Sequence, residues 1–240
     1  LHFYAGIVEK IGEDFLLKNM ENKNIGNSPS SVFYKNVYID PNRLIILCWF
    51  YILEKSLKLV KYTPKSFCEI GGGYGCLSDI IISNLDAKLL SIDLPEANIL
   101  TAYYLKEKYQ NKSFFLYDDY SKNNFLSLVD FQANDIIILP PNCNIDERIK
   151  FDLFINARSM MEMNFNVIES YFEFINAHIS ENGYFLNINR YEKRTVGEPI
   201  RFADYPYTQD WQVVHSEASP YQSHIHYLLT KKTNDPKNKI

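Results

Sequence analysis

The residues from Ser66 to Leu77, with the sequence SFCEIGGGYGCL, constrain the fold more than any other stretch of the chain. A short strand pattern, Phe67 to Ile70, leads directly into four glycines within five residues, and an apolar helix pattern follows. A strand that ends in a glycine turn and continues into a helix is the first unit of a nucleotide-binding α/β sheet. The glycines allow the backbone to approach a ligand closely, and the following helix directs its N–H groups toward it.

The glycine spacing argues against a dinucleotide site. The dinucleotide fingerprint is G-x-G-x-x-G, whose third glycine lets helix and strand pack closely. Its third position falls on Cys76 when counted from Gly71, and on Ser78 when counted from Gly73. Glu69 precedes the first glycine by two residues, where its negative charge favours a cationic ligand. A nicotinamide-dependent oxidoreductase is therefore the weaker interpretation, and a purely structural turn is disfavoured because clustered glycines weaken it.

The rest of the chain alternates strand and helix patterns, which is typical of a parallel sheet. The patterns predict strands at 67–70, 88–92, 135–139, 151–156 and 184–189, an optional short strand at 113–117, and an antiparallel pair at 211–216 and 224–230. We therefore expect a Rossmann-like α/β fold, with a mostly parallel seven-stranded sheet, a C-terminal antiparallel hairpin and helices on both faces. Residues 1–62 are predicted to form an N-terminal helical cap, and residues 63–240 the compact core.

Composition and charge limit the kinds of molecule that the chain is expected to bind. The net charge of −4 and the pI of about 5.8 argue against a broad surface for nucleic acid. The longest apolar run, Leu44 to Leu53, is shorter than the ~20 residues that a bilayer requires, so we expect no membrane span. The four cysteines lack CxxC spacing, which favours buried thiols in a reducing compartment. We expect no signal peptide in these residues and a cytoplasmic location, and self-association into a homo-oligomer stays open.

Glu69, Gly71, Gly73 and Gly75 resemble motif I of the class I S-adenosylmethionine-dependent methyltransferases, E-x-G-x-G-x-G, at every required position. Segments in the order expected after motif I lie at 135–142, 152–163 and 184–190, and Ser159 to Met163 reads S-x-x-E-M. Together they resemble the sugar O-methyltransferase family over residues 25 to 230. The resemblance implies a class I methyltransferase fold, S-adenosylmethionine as cofactor, and a sugar or other small hydroxylated metabolite as acceptor. A methyltransferase fold that binds without turnover is the alternative.

The resemblance also assigns cofactor-binding positions. It places the glycine turn beside the methionine and ribose, Leu94 and the end of the third strand beside the adenine, and Asn156 under the sulfonium. Asp93 lies 20 residues past Gly73, which is the spacing expected of an acidic group on a ribose diol. The implied cofactor-binding residues are Glu69, Gly71, Gly72, Gly73, Tyr74, Gly75, Asp93, Leu94, Leu139, Pro140 and Asn156.

Methyl transfer to a hydroxyl calls for a general base. We predict Glu162 in this role, because it follows the fourth strand by six residues and therefore lies above the carboxyl edge of the sheet. Three neighbouring methionines predict a desolvated carboxylate with a raised pKa. The alternative is that Glu162 caps the helix that begins near Asn166. Arg190, His215 and His224 are competing catalytic candidates. We predict no required metal, although His215, His224 and His226 fall on paired strands and three histidines are a zinc ligand set.

Overall fold

The computed structural model describes residues 2–194 and 198–233, and within them eight helices, twelve strands and two short 3-10 turns. The helices are α1 His2–Ile11, α2 Glu13–Lys18, α3 Pro41–Leu59, α4 Cys76–Leu85, α5 Pro95–Lys108, α6 Tyr117–Tyr120, α7 Leu128–Ala133 and α8 Phe165–His178. The strands are β1 Val32–Tyr34, β2 Val37–Ile39, β3 Ser66–Ile70, β4 Lys88–Ile92, β5 Phe114–Phe115, β6 Ile136–Leu139, β7 Phe151–Ala157, β8 Ile179–Arg190, β9 Glu192–Lys193, β10 Ile200–Arg201, β11 Trp211–Ser219 and β12 Gln222–Lys232. The 3-10 turns are Met160–Glu162 and Phe202–Asp204.

Eight of these strands form one sheet in the order β11-β12-β8-β7-β3-β4-β6-β5. Strand β12 is antiparallel to both neighbours, and the pairings from β8 to β5 are all parallel. The mostly parallel sheet agrees with the prediction, but the predicted count of seven strands is wrong. The eighth strand is β5, which falls within the optional strand predicted at 113–117. It forms because the chain after α5 runs beside β6 for two residues and pairs Phe114 with Ile136.

The C-terminal hairpin is longer than the sequence pattern predicts. Strand β11 continues to Ser219 and β12 already begins at Gln222. Two register shifts, at Val213/His215 and at Ala218/Ser219, interrupt the pairing of the two strands. Such bulges break the alternation of polar and apolar residues. The pattern therefore indicates strands that end before the observed turn.

The central strands are covered by helices on both faces, as predicted. Every residue of β3 and β6 is buried. Phe67 and Leu89 belong to the core that also contains residues of α3 and α4, whereas Cys68 and Leu90 belong to the core that contains residues of α8. Strands buried on both faces read as continuous apolar runs. In such open sheets the ligand site lies at the carboxyl ends of the strands.

Helix α3 packs the N-terminal part of the chain onto the sheet. The side chain of Asp40 accepts hydrogen bonds from the backbone N–H groups of Asn42 at 2.9 Å and Arg43 at 3.1 Å, and Pro41 occupies the first helical turn. An aspartate at the N-cap followed by proline in the first turn is a common start of a helix. Leu47 is fully buried in the core that also contains Phe67. No helix in the described ranges has both the length and the apolar character required to cross a bilayer.

A buried network of charged side chains joins α3 to α4 and α5. Arg43 and Asp79 are 3% and 0% exposed, and their guanidinium and carboxylate atoms are 2.7 Å apart. Lys108 Nζ lies 2.6 Å from the same carboxylate oxygen, and the Tyr109 hydroxyl donates to the other oxygen at 2.7 Å. Burial acts to raise the pKa of Asp79, but the two cations hold it below its usual value. Arg43 Nε also donates to the backbone oxygen of Asn19 at 2.7 Å, so the network fixes the N-terminal segment.

Candidate functional site

The glycine turn between β3 and α4 has the backbone shape that its composition predicts. Gly71 and Gly73 have φ values of +76° and +59°, in the left-handed region that favours glycine. A Cβ atom on Gly71 would lie 2.0 Å from Ser159 Oγ, so no other residue fits there without displacing that serine. A Cβ atom on Gly73 would meet nothing within 4 Å. The turn is therefore packed tightly on the side of β7 and open above Gly73.

Asp93 and the glycine turn lie in direct contact. Asp93 Oδ2 accepts a hydrogen bond from the backbone N–H of Gly73 at 2.8 Å, and Oδ1 accepts one from the N–H of Leu94 at 2.7 Å. The Gly71 N–H donates to the backbone oxygen of Ile92 at 2.8 Å. The carboxyl ends of β3 and β4 are thus held together, and Asp93 lies at the rim of the space above them. A carboxylate at this position can accept hydrogen bonds from neighbouring hydroxyl groups.

Two cavities open at the carboxyl edge of the sheet. The larger has a volume of about 880 Å³, and the sequence-predicted residues in its wall are Gly71, Asp93, Leu94, Pro140 and Glu162. The smaller has a volume of about 230 Å³, and the sequence-predicted residues in its wall are Glu69, Gly71, Gly72, Gly73, Tyr74 and Glu162. Gly71 and Glu162 line both cavities, so they mark the boundary between the two spaces.

Both cavities are also lined by residues that the sequence analysis did not identify. Asn42, Ile46 and Trp49 of α3 line the smaller cavity. Tyr171 and Phe174 of α8 line the larger one. These residues come from helices about 25 residues before and 100 residues after the glycine turn, and their apolar spacing is that of ordinary core-facing helices. The periodicity of the sequence alone therefore did not indicate that these residues line the cavities.

Asn156 lies beneath the site. It is fully buried and does not line either of the two cavities. Its Nδ2 atom donates to the oxygen of Ile70 at 2.8 Å and to Ser159 Oγ at 2.6 Å, while Oδ1 accepts from the N–H of Met160 at 3.0 Å and from Asn189 Nδ2 at 2.8 Å. All four hydrogen-bonding positions of the amide are used within the protein. Asn156 therefore supports the 3-10 turn that carries Glu162.

Glu162 reaches the predicted place but not the predicted surroundings. It is exposed, whereas Met160 and Met161 are 0% and 4% exposed and belong to the core. The prediction that neighbouring methionines desolvate Glu162 is wrong, because the methionine side chains turn inward and the glutamate turns outward. Helix α8 begins after Asn164 without a side-chain cap, so the alternative role of Glu162 as a cap is not realised. Glu162 lines both cavities.

The remaining predicted residues lie away from the cavity walls. Leu139 is fully buried at the end of β6, and Gly75 is the residue before α4. Arg190 ends β8, and His215 lies on β11 beside Glu217 at 3.5 Å. Neither side chain lines the two cavities. Within the described ranges, no group of three or more His, Cys, Asp and Glu side chains is arranged to hold a metal ion.

Glu69 is a buried carboxylate at the floor of the smaller cavity. It is 2% exposed and accepts a short hydrogen bond from the Ser78 hydroxyl. Burial, with a smaller contribution from the nearby Asp93, raises the pKa of Glu69 to about 7, although hydrogen bonds from Ser78 act to lower it. A cation placed above Glu69 would favour the ionised form. The site thus has a carboxylate whose charge depends on what occupies the cavity.

Glu69→Gln is expected to stabilise the ligand-free protein at pH 8 but not at pH 4.5. The folded-state pKa of about 7 lies above the ordinary value of 4.5, so wild-type stability falls as the pH rises from the lower to the higher value. The difference corresponds to up to ~3 kcal/mol. Urea unfolding of both proteins at pH 4.5 and pH 8 measures it. Parallel stability curves for the two proteins would contradict the assignment.

Comparison with known proteins shows the fold. No family model matches the chain, and no curated protein sequence matches it. Among solved structures, magnesium protoporphyrin IX methyltransferase (ChlM) from Synechocystis PCC 6803 with bound SAM superposes with a TM-score of 0.51 at 9% identity, over 78% of this chain and 79% of that one. TrmN from Thermus thermophilus gives a TM-score of 0.47 at 12% identity, over 76% and 48% of the two chains. The mitomycin 7-O-methyltransferase MmcR gives 0.46 at 10% identity, over 80% and 57%. The likeness to ChlM shows that this chain has a Rossmann-like fold similar to that of ChlM.

Proposed function

We propose that the protein is a methyltransferase that uses S-adenosylmethionine to methylate a hydroxyl group of a small polar molecule, with a sugar as the leading acceptor. The observation that carries the proposal is the hydrogen bond from the N–H of Gly73, in the glycine turn, to Asp93, which lines the larger cavity. It combines a glycine turn, which accepts close ligand approach, with a carboxylate suited to a ribose diol. The solved structure of ChlM with bound SAM, which has the same fold, is consistent with this cofactor.

The residues at the sheet edge fit the cofactor. The larger cavity, at about 880 Å³, lies within the usual range for ligand pockets and has apolar walls from Leu94, Pro140 and Phe174 for a flat base. Asp93 would hold the ribose hydroxyls. The space above Gly73, where a Cβ atom meets nothing, leaves room for the chain that links ribose to the amino acid. Glu69, whose pKa is raised by burial, would pair with the cofactor's ammonium group. Residues 1–62 would act as a cap through Trp49 and its neighbours.

The protein's task in this reaction is to position the acceptor and take up a proton. When bound, S-adenosylmethionine supplies a methyl group activated on a sulfonium, and its transfer to oxygen leaves the electron pair of the broken carbon–sulfur bond on sulfur. Glu162 lies between the two cavities and would accept the proton that the hydroxyl loses as its oxygen bonds to the methyl carbon. Asn156 and Ser159 hold the 3-10 turn and thereby fix the position of that carboxylate.

Calorimetry with S-adenosylhomocysteine and, separately, with NAD tests the cofactor. We expect binding of S-adenosylhomocysteine with one site per chain and no binding of NAD. Binding of NAD alone would support the oxidoreductase and refute the proposal. Binding of S-adenosylhomocysteine without methyl transfer to any member of a broad panel of hydroxylated acceptors would favour a non-catalytic binding protein.

Asp93→Ala is expected to weaken S-adenosylhomocysteine binding by ~1–3 kcal/mol, because ribose hydroxyls lose a charged acceptor. The Gly73 N–H loses its partner as well, so Asp93→Asn is the matched variant that keeps one acceptor oxygen. Titration calorimetry measures both affinities. Asp86→Ala is the control, because Asp86 is an exposed carboxylate at the opposite end of α4. Equal affinity in Asp93→Ala and the parent protein would remove the ribose assignment.

A further inference from the structure

We infer that the acceptor carries an anionic group, a carboxylate or a phosphate, and that Arg158 receives it. This inference rests on the proposed function, since it names the class of molecule that is methylated. Arg158 follows β7 immediately and lines the smaller cavity together with Trp49 and Glu162. The sequence patterns did not single it out.

The backbone of Arg158 is held in an unusual conformation. Its φ value is +66°, in the left-handed region that a side chain such as arginine rarely adopts. The conformation is fixed by a hydrogen bond of 2.7 Å from the Arg158 N–H to the oxygen of Ile188, which joins the ends of β7 and β8. Residues held in sparsely populated regions cluster at binding and catalytic sites, where the surrounding structure stabilises them. In this conformation Arg158 lines the smaller cavity.

The Arg158 side chain has no partner within the described part of the protein. Its Nε atom is buried and makes no hydrogen bond. Four other arginines form ion pairs: Arg43 with Asp79, Arg148 with Asp146, and both Arg194 and Arg201 with Glu192. Arg190, at the end of the neighbouring strand, has a buried Nε atom without a partner in the same way. A buried donor without an acceptor is costly, so a ligand that supplies the acceptor is favoured.

The chemistry of the guanidinium group favours an anion over a neutral molecule as the partner of Arg158. The carboxylates of Glu69 and Glu162 line the same cavity, but within the described ranges neither forms an ion pair with Arg158. A carboxylate or phosphate on the acceptor can therefore pair with it. Guanidinium groups match these anions through two parallel hydrogen bonds, which neutral hydroxyl groups cannot reproduce with equal strength. The cofactor's own carboxylate is the competing partner, and the experiment below separates the two.

Trp49 provides a direct signal from this cavity. The chain contains two tryptophans, so Trp211→Phe leaves Trp49 as the one indole reporter. In this background, saturated with S-adenosylhomocysteine, glucuronate, glucose 6-phosphate and glucose are titrated and Trp49 fluorescence is recorded. We expect glucuronate or glucose 6-phosphate to change the signal with at least about tenfold higher affinity than glucose, the lower bound for a charged hydrogen bond. Whichever anion binds more tightly identifies a carboxylate or a phosphate as the preferred group.

Arg158→Gln should weaken anion binding by about tenfold or more, and Arg158→Lys, which keeps the charge, should weaken it less. Arg148→Gln is the control, because Arg148 is an exposed arginine just before the opposite end of β7. Circular dichroism and the unfolding midpoint verify the fold of each variant. Equal affinity for glucose and the anions, absence of anion binding, or an unchanged affinity in Arg158→Gln would overturn the inference.

The cofactor is tested separately with two ligands. If Arg158→Gln weakens binding of S-adenosylhomocysteine but not of 5′-methylthioadenosine, which lacks the amino-acid part, then Arg158 serves the cofactor carboxylate and the inference is overturned. Unchanged binding of both ligands supports it. Failure of the parent protein to bind S-adenosylhomocysteine would refute the proposed function instead, so the two failures are distinguishable.

Discussion

Glu162→Gln is expected to lower kcat by ~10²–10⁴-fold, the usual contribution of a positioned general base, while the affinity for S-adenosylhomocysteine stays unchanged. The substitution keeps the size and hydrogen bonding of the side chain but removes its ability to take a proton. Because the carboxylate is exposed and does not cap α8, the variant should fold normally. Formation of S-adenosylhomocysteine from S-adenosylmethionine, measured with an acceptor found in the panel above, gives the rate.

Glu169→Gln is the matched control for this experiment. Glu169 is an exposed carboxylate on α8 that does not line either of the two cavities. We expect its kcat to equal that of the parent protein. Near-normal turnover in Glu162→Gln would end the assignment of Glu162 as the base. If kcat falls by the same factor in Glu162→Gln and Glu169→Gln at every pH, the cause is disturbed packing rather than lost proton transfer.

Arg43→Met is expected to reduce the free energy of unfolding by ~3–5 kcal/mol, the usual effect of removing one partner from a buried ion pair. Arg43 and Lys108 together balance the carboxylates of Asp79 and Glu21, which lie within 3.4 Å of one or both cations. Removal of the arginine leaves a net negative charge in a space where Asp79 is fully buried. Urea unfolding at pH 7 measures the loss.

Lys58→Met is the control on the same helix. Lys58 pairs with Glu54 at 2.9 Å, but its side chain is 70% exposed. Exposed pairs of this kind contribute ~1 kcal/mol or less, so we expect little change. If Arg43→Met reduced the free energy of unfolding as little as Lys58→Met, the buried network would not be a major source of stability. Arg43→Lys restores the charge without the planar fork and should recover part of the loss.

The parts of the fold that the sequence predicted depend on local signals. The glycine turn and the fully apolar strands each require a particular residue type at a particular position, whatever surrounds them. Strand β5 was predicted only as an optional strand at 113–117, because two residues carry too little pattern to be distinguished from a loop. The bulges in β11 likewise belong to the pairing of two strands, so the sequence of one strand alone does not show how far the pairing continues.

Positions that depend on strand ends could be predicted, whereas positions that depend on tertiary contacts could not. Asp93 and Glu162 follow strands at expected distances, and both line the larger cavity. The exposure of Glu162 was not predicted, because three neighbouring methionines do not reveal which side of a turn each residue faces. Arg158 was missed because its left-handed backbone and lack of a partner are properties of the folded chain. Trp49 was missed because a core-facing tryptophan and a cavity-lining one have the same spacing.

The ends of the sheet affect how the protein behaves at high concentration. An exposed sheet edge offers free N–H and C=O groups to a strand from another molecule, which is a common route to aggregation. One edge of this sheet is β5, which is only two residues long, and the other is β11, whose pairing with β12 shifts register twice. Short or bulged edges make poor templates for a further strand. Pairing of either edge strand with a strand from a second copy is therefore disfavoured, and so is aggregation through added strands.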